Sequence, residues 1–248
     1  MSMLIRLFAW PLSALYYIAF GLTLVVFHVI QWCSLKLGGY SGHKRSVDLM
    51  NFFLNKCLNI LGTRIEFINK VTIPDGVPLI IVSNHQSMYD ISPISWHLRK
   101  YHPKFISKIE LAKGLPGISF NLRHGGSVLI DRKNPRQSLP ALKAFAEYIE
   151  QHNYAAVLFP EGTRSKDGTP GQFAATGLQI LCKNAPSAYI LPVTINNAWK
   201  ITRWGNFPLC PGVKIILEIH NPISVKSANF ESLLAQTEQV IKENIHNH

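Results

Sequence analysis

From Leu7 to Leu35 the chain runs 29 residues without a Lys, Arg, Asp or Glu. As one helix that stretch would be about 43 Å long, against a bilayer hydrocarbon core of about 30 Å. The segment is therefore expected in or on a membrane. A cleaved signal peptide is the competing reading, but the apolar run is too long for one and no small-x-small cleavage site follows it. Pro11 and Gly21 offer places to bend, so spanning, re-entering and lying obliquely all stay open. Arg6 precedes the run and Lys36, Lys44 and Arg45 follow it. Positive charge on both flanks suits a segment whose two ends face the cytoplasm.

A second apolar helix is read from Ser46 to Leu61, with Ser46 as N-cap, Gly62 as C-terminal stop and Val47, Met50, Leu54, Leu58 and Leu61 on one stripe. It packs on the domain core or also touches lipid. The chain thus divides into an N-terminal membrane-associated helical region, 1–62, and a globular domain, 63–248.

After Gly62 the pattern changes to short β-branched runs: Arg64–Asn69, Leu79–Ser83, Lys104–Ser107, Ser127–Arg132, Ala155–Phe159, Tyr189–Ile195 and Val213–His220. Helices are expected over Leu139–His152, capped by Ser138 with Pro140 in its opening turn, over Phe173–Lys183 and over Phe230–Asn244. The fold class is α/β: a mixed, largely parallel sheet of about seven strands flanked by helices. Ligands of such sheets sit at the loops leaving the strand ends.

Charge narrows the partners. Lys and Arg number 25 against 14 Asp and Glu, a net charge of +11. Arg99 to Arg136 alone holds nine basic residues against two acids. Such a field favours phospholipid head groups, phosphorylated substrates or nucleic acid. Cys33, Cys57, Cys182 and Cys210 are scattered, without C-x-x-C spacing, which signals neither a zinc site nor a disulfide scaffold. Four free thiols in a reducing compartment is the expected state.

Two stretches at strand ends carry chemistry. Leu79–Ser83 runs into Asn84-His85-Gln86-Ser87-Met88-Tyr89-Asp90. An Asp accepting from one imidazole nitrogen fixes the tautomer and leaves the other nitrogen to remove a hydroxyl proton. The bland reading is a surface His with an unrelated Asp. The second stretch, Phe159-Pro160-Glu161-Gly162-Thr163-Arg164-Ser165, follows the strand that begins at Ala155. It is either a polar turn or an anion pocket, in which small residues admit backbone approach and a guanidinium grips two phosphate oxygens.

Taken together these blocks resemble the glycerolipid acyltransferases, in particular the 1-acylglycerol-3-phosphate O-acyltransferases (lysophosphatidic acid acyltransferases). Four blocks agree in order: Asn84, His85 and Asp90 as N-H-x-x-x-x-D; Gly126 to Arg132, a hydrophobic strand ending in an acid and Arg; F-P-E-G-T-R-S at 159–165; and Ile190-Leu191-Pro192-Val193. Lys108 to Leu111, followed by Pro116 and Gly117, is similar to the family's segment between the first two blocks. The resemblance covers about Leu79 to Thr194. It implies that His85 is the base and Asp90 its orienting partner, and that Glu161, Gly162, Thr163 and Arg164, with Arg132 and Lys108, hold the glycerol phosphate. It further implies a phospholipid-membrane enzyme with its active site facing the cytoplasm. The acyl group would pass from acyl-CoA or acyl carrier protein to a lysophospholipid, most simply 1-acyl-glycerol 3-phosphate giving phosphatidic acid. No cofactor or metal is required.

Three other readings stay in view. The same chemistry could serve another lyso-lipid acceptor. A lipid ester or thioester hydrolase would share substrates, but there is no G-x-S-x-G elbow, and Ser87, two residues after His85, is a poor nucleophile candidate. A non-enzymatic basic membrane binder would explain the charge and not the four ordered blocks. No nucleic-acid-binding motif is apparent.

Overall fold

The computed structural model describes residues 2–246. It begins with a helix, α1 (Ser2–Cys57), whose backbone leaves helical geometry at Gly39 (φ 54°, ψ −148°). Pro11 and Gly21 keep helical geometry, so the break falls at neither. Gly39 admits the left-handed turn without a Cβ penalty, and the two arms fold back on each other. Across the hairpin Gln31 Nε2 donates to Met50 Sδ at 3.1 Å, and the Phe27 and Phe53 rings lie 5.6 Å apart. A Cβ on Gly42 would come 2.6 Å from the Ser34 carbonyl oxygen, so the arms touch backbone to backbone there. The expected second helix is thus real but begins at the break. Ser46 does not cap it; its hydroxyl donates back to the His43 carbonyl inside the arm. A single-turn 3-10 segment, Leu58–Leu61, ends on Gly62 in the left-handed conformation, the predicted stop.

Among the described residues the sheet has eight strands: β1 (Arg64–Asn69), β2 (Leu79–Ser83), β3 (Pro103–Lys108), β4 (Val128–Ile130), β5 (Ala155–Leu158), β6 (Tyr189–Asn196), β7 (Lys214–Ile219) and β8 (Ile223–Ser224). Their order is β1-β7-β6-β2-β5-β3-β4, with β8 also pairing β6. β6, β2, β5, β3 and β4 are mutually parallel; β7 is antiparallel to β6 and parallel to β1. The mixed, largely parallel α/β sheet expected from the sequence is observed, with β8 the addition. Pro192 sits within the central strand β6, where a missing N–H usually breaks the ladder. Here it falls between Tyr189–Ile190, paired with β8, and Val193–Asn196, paired with β7. Its carbonyl, on the same side as the missing N–H, accepts from His220 N at 3.0 Å. The reciprocal bond to the His220 carbonyl is the one that proline forgoes, at the end of the β7 pairing.

Both faces of the central strands are covered, which is why they read as unbroken apolar runs. Leu79, Ile81, Val157, Leu191 and Val193 point to one face, against Tyr16 of α1, Leu58, Leu61 and Ile94 of α2 (Ile91–His97). Ile80, Val82, Ala156 and Ile190 point to the other, against Phe145 and Ile149 of α4 (Pro135–His152), Leu178 and Leu181 of α5 (Ala175–Asn184), and Leu233 and Ile241 of α6 (Phe230–Glu243). The α4 cap is a correction. Asn134, not Ser138, accepts from Gln137 N, and Pro135 takes the first-turn position that favours proline. α2 and α3 (Ile118–His124) have seven residues each, too few turns for a periodic signal, and were not expected.

α1 lies along the domain. Ala9, Ser13, Tyr16, Leu24, Phe27 and Gln31 form a buried stripe at helical spacing. Leu209 N donates to Ser13 Oγ at 2.8 Å, and Tyr17 OH donates to the Asn206 carbonyl at 2.6 Å. The opposite side, with Leu7, Phe8, Leu15, Ile18, Leu22, Val25, Val29 and Trp32, is exposed.

Candidate active site

Because β2, β5, β3 and β4 are neighbours and parallel, their C-terminal ends share one edge of the sheet. His85 follows β2, the 159–165 loop follows β5, Lys108 ends β3 and Arg132 lies two residues past β4. With neighbouring strands about 4.8 Å apart, these positions fall within about 15 Å along that edge. All the predicted site residues therefore come to the same side of the molecule.

The His85–Asp90 pair is built by a local turn. Asp90 Oδ2 accepts from Ser87 N at 2.8 Å and Gln86 N at 2.7 Å, while Ser87 Oγ accepts from Tyr89 N, so Ser87 and Asp90 form a capping box around the single 3-10 turn Met88–Asp90. The same Oδ2 receives His85 Nδ1 at 2.8 Å. The five-residue spacing thus follows from a turn that aims its carboxylate back at the imidazole. Asp90 is fully buried and the His85 side chain is 18% exposed. A carboxylate only accepts, so Nδ1 carries the proton of this bond and Nε2 is the ring nitrogen outside it. Phe159 lies flat against the imidazole, ring centroids 4.1 Å apart, and limits its rotation. The sequence block contained Phe159 but gave it no role.

Behind the turn, Asn84 clamps β2 to β6: its amide donates to the Ile195 carbonyl and accepts from Ile195 N, both at 2.8 Å. Gln86 ties the turn to the Gly168 carbonyl and to Ala198 N. Neither role was legible in the sequence.

Glu161, expected at the acceptor phosphate, has both carboxylate oxygens on backbone: Oε1 accepts from His85 N at 2.7 Å and Oε2 from Gly171 N at 2.6 Å. Burial raises its carboxyl above the ordinary range, and those two N–H donors oppose the rise. These two bonds tie the 160–171 loop to the backbone at His85. A second tie, Ser165 N to the His85 carbonyl at 2.8 Å, locks the same loop. Gly162, at φ 68°, turns its carbonyl to the Arg132 guanidinium, joining the loop to the end of β4. Thr163, Arg164 and Lys108 are exposed, and their side chains have no partner among the described residues. Arg132, Arg164 and Lys108 thus offer three cations along the edge that carries the His85–Asp90 pair.

The segment from β1 to the end of β6, residues 64–196, matches the acyltransferase family and contains every one of these residues. This chain belongs to that family. A 1-acyl-sn-glycerol-3-phosphate acyltransferase of Helicobacter pylori is 31% identical over 187 residues, covering 74% of this acyltransferase and 71% of the relative. The chloroplastic 1-acyl-sn-glycerol-3-phosphate acyltransferase BAT2 of Brassica napus is 33% identical over 146 residues. Only 41% of that plant protein is spanned, and the same share of its Arabidopsis thaliana counterpart. The acyltransferase also shares its fold with the crystal structure of the 1-acyl-sn-glycerophosphate acyltransferase PlsC from Thermotoga maritima, with a TM-score of 0.78 over 98% of this chain and 95% of that one at 24% identity.

Proposed function

We propose that this acyltransferase moves a fatty acyl group from a thioester donor, acyl-CoA or acyl carrier protein, to the free hydroxyl of 1-acyl-glycerol 3-phosphate, giving phosphatidic acid. The observation that carries the reading is the 2.8 Å bond from His85 Nδ1 to buried Asp90, which leaves Nε2 open beside a cationic edge. His85 Nε2 takes the hydroxyl proton as the acceptor oxygen attacks the thioester carbonyl. The tetrahedral intermediate then collapses, the C–S bond breaks, and the imidazolium returns its proton to the departing sulfur. A thiol of pKa about 8.5 leaves readily, so one base serves both steps and no acyl-enzyme or cofactor is needed. Gly162, Thr163 and Arg164, with Arg132 and Lys108, hold the phosphate; Glu161 positions the loop. Names of the relatives support the acceptor.

The enzyme works on a membrane surface, with its active site on the cytoplasmic side. Support comes from α1, whose buried stripe is bonded to the domain while its far side exposes an apolar face that water does not favour. An arm docked this way lies in the interface rather than standing as an isolated span.

The test presents the purified full chain with labelled acyl-CoA and acyl carrier protein against a panel of lyso-lipids. The expected result is transfer to 1-acyl-glycerol 3-phosphate. Preference for a different lyso-lipid would change the acceptor and keep the chemistry, and acyl release with no lipid product would mark a hydrolase. Arg164→Ala should raise the apparent acceptor KM about 10- to 100-fold, the loss of a charge-assisted phosphate contact, with kcat less affected. An unchanged KM would remove Arg164 from the phosphate site. Glu161→Gln keeps one acceptor oxygen and turns an NH2 group toward a backbone N–H. We expect thermal stability to fall by about 1–3 kcal/mol and kcat to drop while acceptor KM holds. A change confined to KM would return Glu161 to the acceptor.

A further inference from the structure

Lys104 is the second residue of β3, four residues before Lys108 and so about 13 Å down the strand from the His85 edge. It is 5% exposed. No carboxylate pairs with it among the described residues. Its Nζ donates to Tyr40 OH at 2.9 Å and lies over the Tyr40 and Tyr154 rings at 4.8 and 5.2 Å. Tyr40 OH in turn bonds His102 Nδ1 at 2.7 Å. A buried ammonium whose compensation is one hydroxyl and two ring faces still has two N–H donors unanswered, which is costly unless something else accepts them. Burial lowers Lys104 to about 8, still mostly cationic at neutral pH, and His102 to about 4.

Next to Lys104, His43 is 1% exposed and its Nε2 is buried with no partner. Both line one cleft between the second arm of α1 and the starts of β3 and β4. Ser127 is also in its wall; its oxygen already accepts from Phe105 N, which leaves its proton to donate. Lys44 and Arg99 stand at an adjoining depression that opens to solvent. The one carboxylate in the wall, Asp48, is held by Lys44.

We propose that this cleft is a second anion site, separate from the His85 edge, that takes a phosphate group against Lys104 and His43 with Lys44 and Arg99 at its mouth. Donors converge on it from three elements. A tetrahedral phosphate has acceptor oxygens in enough directions to meet them, whereas a planar carboxylate has two. The phosphate belongs either to a lipid headgroup beside α1 or to a soluble phosphate monoester. The site does not depend on the acyl-transfer reading.

The experiment titrates inorganic phosphate into the full chain in neutral detergent, by calorimetry and thermal melting, in three forms: wild type, an Arg132→Ala/Arg164→Ala double variant that weakens the His85 edge, and Lys104→Met. Saturable binding with a raised melting temperature should persist in the double variant and weaken at least tenfold in Lys104→Met. His43→Phe, which keeps a ring in place, is expected to weaken binding as well and serves if Lys104→Met does not fold. Co-sedimentation with phosphatidylcholine vesicles, with and without phosphatidylglycerol, identifies the source. Loss of the phosphatidylglycerol-dependent increment in Lys104→Met supports a headgroup, and an unchanged increment with phosphate binding lost supports a soluble ligand. Absence of both saturable phosphate binding in the double variant and a Lys104- or His43-dependent vesicle increment overturns the proposal.

Discussion

Replacing His85 with alanine is expected to lower the acyl-transfer rate by about 10²- to 10⁴-fold with the fold retained, the range for loss of a positioned general base. The imidazole is the group at this edge with an unpaired basic nitrogen, since Asp90 receives three donors on one oxygen and Glu161 receives two backbone N–H groups. Losing the ring removes its contact with Phe159 and its bond to Asp90, while the Gln86 and Ser87 donors to Asp90 stay. The turn should therefore survive. Single-turnover transfer of a labelled acyl group, with circular dichroism melting on the same sample, measures both halves of the prediction. A folded variant that retains most of the wild-type rate rejects His85 as the base. Partial rescue by added imidazole would show that the missing function is proton transfer rather than shape.

The family resemblance, not the five-residue spacing by itself, made this pair legible, and a short motif can carry it because its geometry is local. Ser87 and Asp90 form a capping box three residues apart, and a turn of that length needs no distant partner to set its shape. The sheet was legible as well, because strands covered on both faces leave unbroken β-branched runs. The bracing contacts of Glu161 were not legible, because one partner is 76 residues away, at His85 N. A motif names residue types at spacings and does not distinguish the side chain that touches a ligand from the one that holds the loop. Phe159, Asn84 and Gln86 were passed over for the same reason; each acts on a segment remote in sequence. In α1 the difficulty is different. An uncharged run is apolar on every side, so composition does not separate the stripe against Leu209 and Tyr89 from the face turned outward. The position of Gly39 became meaningful only when Gln31 and Met50 were seen to meet across it.

Asp90→Asn is expected to reduce the rate by about 10²- to 10⁴-fold as well, but by a separable route. The amide oxygen can occupy the Oδ2 position and go on accepting from Gln86 N, Ser87 N and His85 Nδ1, so the ground-state geometry and the ring tautomer are kept. The NH2 group then takes the place of Oδ1, which is buried and without a partner among the described residues. That unsatisfied donor should cost about 1–3 kcal/mol of stability. What is lost for chemistry is charge: when His85 takes the hydroxyl proton, a neutral amide replaces the carboxylate that would face the new imidazolium. If orientation alone were the contribution of Asp90, the variant would keep most of its rate and added imidazole would change nothing. If charge is the contribution, kcat falls while the acceptor KM stays close to wild type. Measuring kcat and KM separately for Asp90→Asn, beside its melting temperature, decides between them.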